Sequence, residues 1–291
     1  MRKEKWTGAI TLIAAICLLV ACKDSKKQVT AGDEPTEIST DTLATDTIAM
    51  PDEPKDSVEN IIAATPMPKA ADELFDDFFF NFSANEKLQM ERVNFPLAVN
   101  DHGEKSVVAA KEWKMEPFFT DQGFYTLIFD SEKQMEVVKD TTVSHVVVEK
   151  VFLDQKQVEQ FVFNREEGLW KLTEIDRHAL LKNANSDFLN FYDKFSKDSL
   201  FQVQSLNAPV KTVIPDPEDD FNMLEGEFYP EQWQDFKPEV LPQGFIYNIQ
   251  YGQPCKGGAR KIFVIRGISN SLEIEMTFLL KGGEWRLVKL I

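Results

Sequence analysis

Few residues in this chain could do chemistry. His145 stands in VSHVVVEKV, alternating with Val147, Glu149 and Val151 on one face of an expected strand. A histidine and a carboxylate on one face could work as base and orienting acid. The plainer reading, a solvent-facing polar pair on a half-buried strand, is the preferred one. His102 in NDHGEK reads as a turn residue, and His178 in DRHALLKN as part of a linker. Cys255 could be a nucleophile, but QPCKGGAR reads as a strand end followed by a Gly-Gly turn. DPEDD (216–220) gathers four acids without the D-x-D-x-D-G layout or distal Glu of a calcium loop, so we expect a solvated acidic insertion and no metal there. The sequence has no Walker loop, dinucleotide glycine motif, HExxH, CxxC or GxSxG. No catalytic residue and no cofactor follow.

The elements that must position these residues show a clearer pattern. FDDFFFNFS (75–83) places Phe75, Phe78, Phe79 and Phe82 at i, i+3, i+4 and i+7, a single helical stripe. Such a stripe covers a core, lines a cavity or docks on a partner. FDDFFFNFSANEKLQMERVNFP (75–96) aligns without gaps to FLNFYDKFSKDSLFQVQSLNAP (188–209). Identities include Phe78/Phe191, Gln89/Gln202, Asn94/Asn207 and Pro96/Pro209, and Tyr192 replaces Phe79. Further on, Gln122-Gly123-Phe124 matches Gln243-Gly244-Phe245, and FNREEGLWKL (163–172) matches FLLKGGEWRL (278–287). Three blocks in one order predict a duplicated domain. Each copy reads as a helix followed by Val-, Ile- and Phe-rich strands, with Ser83 and Ser196 as turn or cap residues. The expected fold is α+β, an aromatic-striped helix packed on a curved antiparallel sheet, twice: 71–180 and 181–291.

The amino terminus carries different information. Arg2, Lys3 and Lys5 precede an apolar run that is too short to span a bilayer and ends Leu19-Val20-Ala21-Cys22. This reads as a lipoprotein signal over 1–21, with Cys22 as the lipidated first residue. Cys17 leaves with the signal, so Cys255 is the one remaining thiol and no intrachain disulfide can form. The following stretch, 22–70, is rich in Thr, Asp, Glu, Pro and Ser and lacks aromatics, which predicts a disordered acidic tether. Its r.m.s. reach is on the order of 40 Å. The formal charge is −16; residues 1–21 carry three basic and one acidic side chain, net +2, which leaves −18 on the mature chain. That balance argues against a nucleic-acid partner.

A helix-then-curved-sheet unit of this size, ending in a G-x-W hairpin, resembles the nuclear transport factor 2-like (NTF2-like, cystatin-like) fold. With its lipobox and two such units, the chain resembles an uncharacterised family of Bacteroidetes lipoproteins with tandem NTF2-like domains. The resemblance covers 71–291 and implies fold better than function. The fold also hosts ketosteroid isomerases and small dehydratases, whose pockets hold an Asp base with Tyr or Asp acids, or a His–Asp pair. By that resemblance Phe79, Tyr125, His145, Glu149, Tyr192 and Tyr247 are the candidate pocket-lining residues. Three functions are consistent with the sequence. One is a non-enzymatic envelope lipoprotein that binds a partner protein or a small apolar ligand. A second is an isomerase or dehydratase in one module, and a third is a purely architectural pair packed face to face. The expected location is the outer membrane, facing the periplasm, because Lys23-Asp24-Ser25-Lys26-Lys27 is net basic.

Overall fold

The aromatic stripe does form a helix whose apolar side is sealed. A computed structural model of the chain describes residues 69–291, apart from 120, 121, 217, 253–256 and 269. The signal segment, Cys22, most of the tether, and Cys255 lie outside the described residues. Helix α1 (Phe75–Ala84) buries Phe75, Phe78, Phe79 and Phe82, and is followed by α2 (Glu86–Arg92). Helix α3 (Ser186–Lys197) buries Phe188, Tyr192 and Phe195, and is followed by α4 (Ser199–Gln204). Each buried aromatic contributes roughly 2–3 kcal/mol.

Ser83 and Ser196 end these helices from inside. Their hydroxyls donate to the carbonyls three residues back, at 3.0 Å to Phe80 and 3.1 Å to Asp193. The caps of α2 and α4 are instead Asn85, which accepts from Leu88 N at 3.0 Å, and Asp198, which accepts from Leu200 N and Phe201 N. The repeated Gln89 and Gln202 are both buried and hydrogen-bonded on both amide atoms, Gln89 with Glu116 and Gln202 with Phe195 and Trp233.

Among the described residues twelve strands make one sheet: β1 (Val93–Asp101), β2 (Glu104–Val108), β3 (Phe124–Phe129), β4 (His145–Phe152), β5 (Gln157–Glu166), β6 (Leu169–Ala179), β7 (Leu206–Asp216), β8 (Asp219–Phe228), β9 (Phe245–Tyr251), β10 (Arg260–Gly267), β11 (Glu273–Lys281) and β12 (Glu284–Leu290). His178 therefore lies on β6, where it is buried, and not in a linker. DPEDD falls at the β7–β8 turn, on a hairpin longer than β1–β2. The sheet is mixed, which corrects the all-antiparallel expectation: β1 runs parallel to β6, β7 to β12, and β3 to β9. In the first two of these pairs the first strand of a half lies beside the last, with four strands between them in the chain and no hairpin joining them, so the two are free to run parallel.

The strand order is β2-β1-β6-β5-β4-β9-β3-β10-β11-β12-β7-β8. It contains an exchange. Were each half to keep its own strands, β3 would lie beside β4 and β9 beside β10. Instead β9 pairs antiparallel with β4 from Val146↔Tyr251 to Phe152↔Phe245, and β3 pairs antiparallel with β10 from Ile262↔Phe129 to Gly267↔Phe124. The halves thus join edge to edge through crossed strands, not face to face.

Period-2 alternation then assigns each helix its own face of the sheet. Tyr125, Leu127 and Phe129 on β3, with Ile262 and Val264 on β10, pack with the α1 aromatics. Ile128, Phe263 and Ile265, from the same two strands, pack with the α3 aromatics. One helix covers one face, and its counterpart covers the other.

Candidate functional site

The six residues expected to line a pocket do not converge on one. Phe79 and Tyr192 are core residues, one under each helix; the Tyr192 hydroxyl is buried without a hydrogen-bond partner, and burial holds it well above its usual pKa. Tyr247 packs edge-on to Phe119 at 4.7 Å between ring centres, with its hydroxyl 3.4 Å from Pro117 O. His145 and Glu149 do share a face of β4, but four strand residues set them roughly 13 Å apart, too far for a proton relay. A shared face is not a contact.

Each has its own surroundings. Glu149 is fully buried, and its carboxylate accepts from three side-chain amides: Gln160 Nε2 at 2.8 Å, Asn183 Nδ2 at 2.7 Å and Asn248 Nδ2 at 2.7 Å. This network links β4, β5, β9 and the segment leading into α3. It reads as a structural joint. His145 Nδ1 donates to Asn164 Oδ1 at 2.9 Å, and the ring borders a groove of about 590 Å³ on the same face. All three histidines of the chain line that groove. The other two are taken up by carboxylates, His102 by Asp101 and His178 by Asp176, each at 2.6 Å. Among the described residues no group of three His, Cys, Asp or Glu side chains could hold a metal ion.

A cluster that sequence reasoning missed lies where the exchanged strands meet. Asp76 of α1 accepts from the Tyr251 hydroxyl of β9, while Tyr125 of β3 and Arg266 of β10 close the group. Burial pushes the Asp76 carboxyl up, against the hydrogen bond from Tyr251. Burial also pushes Tyr125 up to about 12, with the Asp76 charge adding to it, and holds Tyr251 well above its ordinary value. Four separate elements contribute to the cluster, so no local pattern announced it.

A cavity of about 1110 Å³ opens over α3. Phe188, Phe191, Phe201 and Trp285 give it an aromatic floor, with Lys194 and Arg286 at its rim. The corresponding place in the first half is filled. There the short turn Lys69–Asp72 lies over α1, and Asp72, 4 % exposed, plugs it. The Asp72 carboxylate accepts from both terminal nitrogens of Arg92, at 2.8 and 2.9 Å, and from the backbone N–H of Trp170 at 3.1 Å. In the ungapped repeat Phe75, Phe78 and Arg92 correspond to Phe188, Phe191 and Ser205, and Trp170 to Trp285. All four counterparts line the cavity. Phe78 is sealed, whereas Phe191 is half-buried.

Comparison with known proteins agrees with this fold. A family model described as a domain of unknown function (DUF4348) matches residues 54–291. An NTF2-like protein from Bacteroides fragilis, known from a crystal structure, is similar at 38% identity over 77% of this chain and 98% of its own, with a TM-score of 0.70. The α+β fold is thus NTF2-like. No curated protein matches the chain.

Proposed function

The chain belongs to the DUF4348 family, and from that premise we propose that it is a binding protein and not an enzyme, with the cavity over Phe188, Phe191 and Trp285 as its site. One observation carries this reading: the same aromatic helix is plugged by the chain itself in the first half and left open in the second. Two NTF2-like modules, 71–180 and 181–291, are part of the proposal. The sequence repeat supports them, as does a strand order that reads alike from either end apart from the exchanged pair. The first module is then a closed companion, interlocked with a second that receives a small apolar ligand or a segment of a partner.

Titration with the dye 1-anilinonaphthalene-8-sulfonate tests the site. One saturable site is expected, and Phe191→Ala should weaken it about tenfold, the loss of roughly one aromatic contact. Absent saturation, or an affinity untouched by Phe191→Ala, would contradict the reading.

The isomerase or dehydratase alternative draws on Asp76, Tyr125 and Tyr251, a carboxyl with a raised pKa beside two hydroxyls. Neither Asp76 nor Tyr125 lines the large cavity over α3, the three-histidine groove or a smaller one beside Tyr251, so binding is the better-supported function.

The proposal extends to location. A signal over 1–21, a lipidated Cys22 and a tether through residue 70 would hang the modules from the outer membrane, facing the periplasm; the basic n-region and the Leu19–Cys22 lipobox support this. Cys22→Ala is expected to abolish labelling by a fatty-acid probe in cells, since only the thiol accepts the lipid. Label that persists in the variant would refute the assignment.

A further inference from the structure

Resting on the cavity over α3 as the binding site, we infer that its occupant is a short acidic peptide segment of a partner, held by one Asp or Glu carboxylate on the backbone N–H of Trp285. The first half supplies the template. Its own plug is a peptide turn, with buried Ala71 against the aromatic helix and the Asp72 carboxylate on the hairpin N–H of Trp170.

The second half repeats the receptor without the plug. Trp170 faces Arg165 across its hairpin, and Trp285 faces Leu280. Arg165 N–H turns outward to Ser144 O at 2.9 Å, and Leu280 N–H turns outward to Ala259 O at 2.7 Å. In an antiparallel pair of this kind the facing N–H turns outward as well, on the opposite edge. For Trp170 that direction leads to Asp72. For Trp285 it leads past Ser205, the residue just before β7, into the cavity. The residue matching Asp72 is Asn185, which stays in the cavity wall: its Oδ1 accepts from Lys261 Nζ, also on that wall, at 2.7 Å. The cation matching Arg92 is displaced, because Ser205 stands at that position. Positive charge comes instead from Arg286, which holds Gln204 O and Glu284, and from Lys194, whose ammonium sits 4.1 Å from the centre of the Phe201 ring.

A carboxylate reaching Trp285 N–H would therefore find a donor, nearby cations and a flat apolar floor for the rest of the segment. Asp187 and Glu284 on the rim disfavour a second charge close to the first. A cavity of about 1110 Å³ exceeds what one side chain fills and suits a turn of peptide.

The test uses the full chain, labelled with nitrogen-15, and a blocked synthetic peptide KAADEL that copies residues 69–74. The Trp285 backbone amide resonance should shift saturably while that of Trp170 stays in place. The peptide with Asn in place of its Asp should bind about tenfold more weakly, the loss of a charge-assisted hydrogen bond. Lys194→Gln, at an exposed position, should weaken the Asp peptide severalfold. An unmoved Trp285 amide, equal binding of both peptides, or an equal response of Trp170 would overturn the inference. So would the same Trp285 shift with sodium acetate alone, which would assign the site to small free carboxylates. Saturable dye binding without peptide binding would sink this inference and leave the cavity standing as a site; binding of neither would remove both.

Discussion

Phe78→Ala should cost roughly 3–5 kcal/mol of stability, as truncation of a sealed phenylalanine does, while Phe191→Ala should cost less than half as much. The two residues occupy the same position of the repeat, so sequence alone gives them one value. Their surroundings differ. Phe78 is 0 % exposed, packs on Phe82 at 5.4 Å and Phe163 at 6.0 Å, and carries the Arg92 guanidinium 5.6 Å above its ring. Truncation there empties a closed space that cannot collapse. Phe191 packs on Phe278 at 5.5 Å and Phe201 at 5.7 Å, but one side opens on the cavity. Water already reaches that side, so less contact is lost. Asp77 and Asn190, exposed on the outer helix faces, should each tolerate Ala within about 0.5 kcal/mol. Denaturant melts of the four variants check this. Because β3 and β9 are exchanged, every variant should shift one common transition. Equal losses at Phe78 and Phe191 would mean that both helices are sealed.

Glu149→Leu should be the other severe change. It removes the acceptor shared by Gln160, Asn183 and Asn248 and leaves the buried amides of Asn183 and Asn248, with the half-buried one of Gln160, facing a hydrocarbon. Each orphaned donor costs about 1–3 kcal/mol, so the variant should lose on the order of 3 kcal/mol or more. Glu149→Gln keeps one acceptor oxygen and should recover part of that. Asn248 comes from β9 and Asn183 from the segment before α3, so the loss also loosens the crossed strands. Urea melts measure it. A leucine variant as stable as the parent would show that the amides find other partners.

The helices were legible in the sequence because their signal is local: the i, i+3, i+4, i+7 aromatics are buried in α1 and largely so in α3. The Val- and Phe-rich strands were legible for the same reason. Hairpins β1–β2 and β7–β8 were not. Their strands carry Pro96 and Pro209, and β2, EKSVV, is exposed over most of its length, so they lack the alternation that marks a half-buried strand. The exchange of β3 and β9 could not be read either. Both are short apolar strands after a Gln-Gly pair, and nothing in such a run encodes which edge it joins. Among candidate residues, His145 and Glu149 do share a face, but the preferred reading of a solvent-facing polar pair fails: Glu149 is fully buried, and its carboxylate is taken up by three amides. Asp76 was not singled out, because its partner Tyr251 lies far away in sequence. The open cavity was hidden by the repeat itself: FxxFF and FxxFY read alike, and the difference between the halves rests on Asp72, at the edge of a segment with no aromatic residues.

The claim that one aromatic helix is closed and its counterpart is a binding site is tested most directly by locating the dye. Crystals of the chain soaked in 1-anilinonaphthalene-8-sulfonate should show one molecule over Phe188 and Phe191, against Trp285, and none over Phe75 and Phe78. Dye at both helices, or at neither, would contradict it.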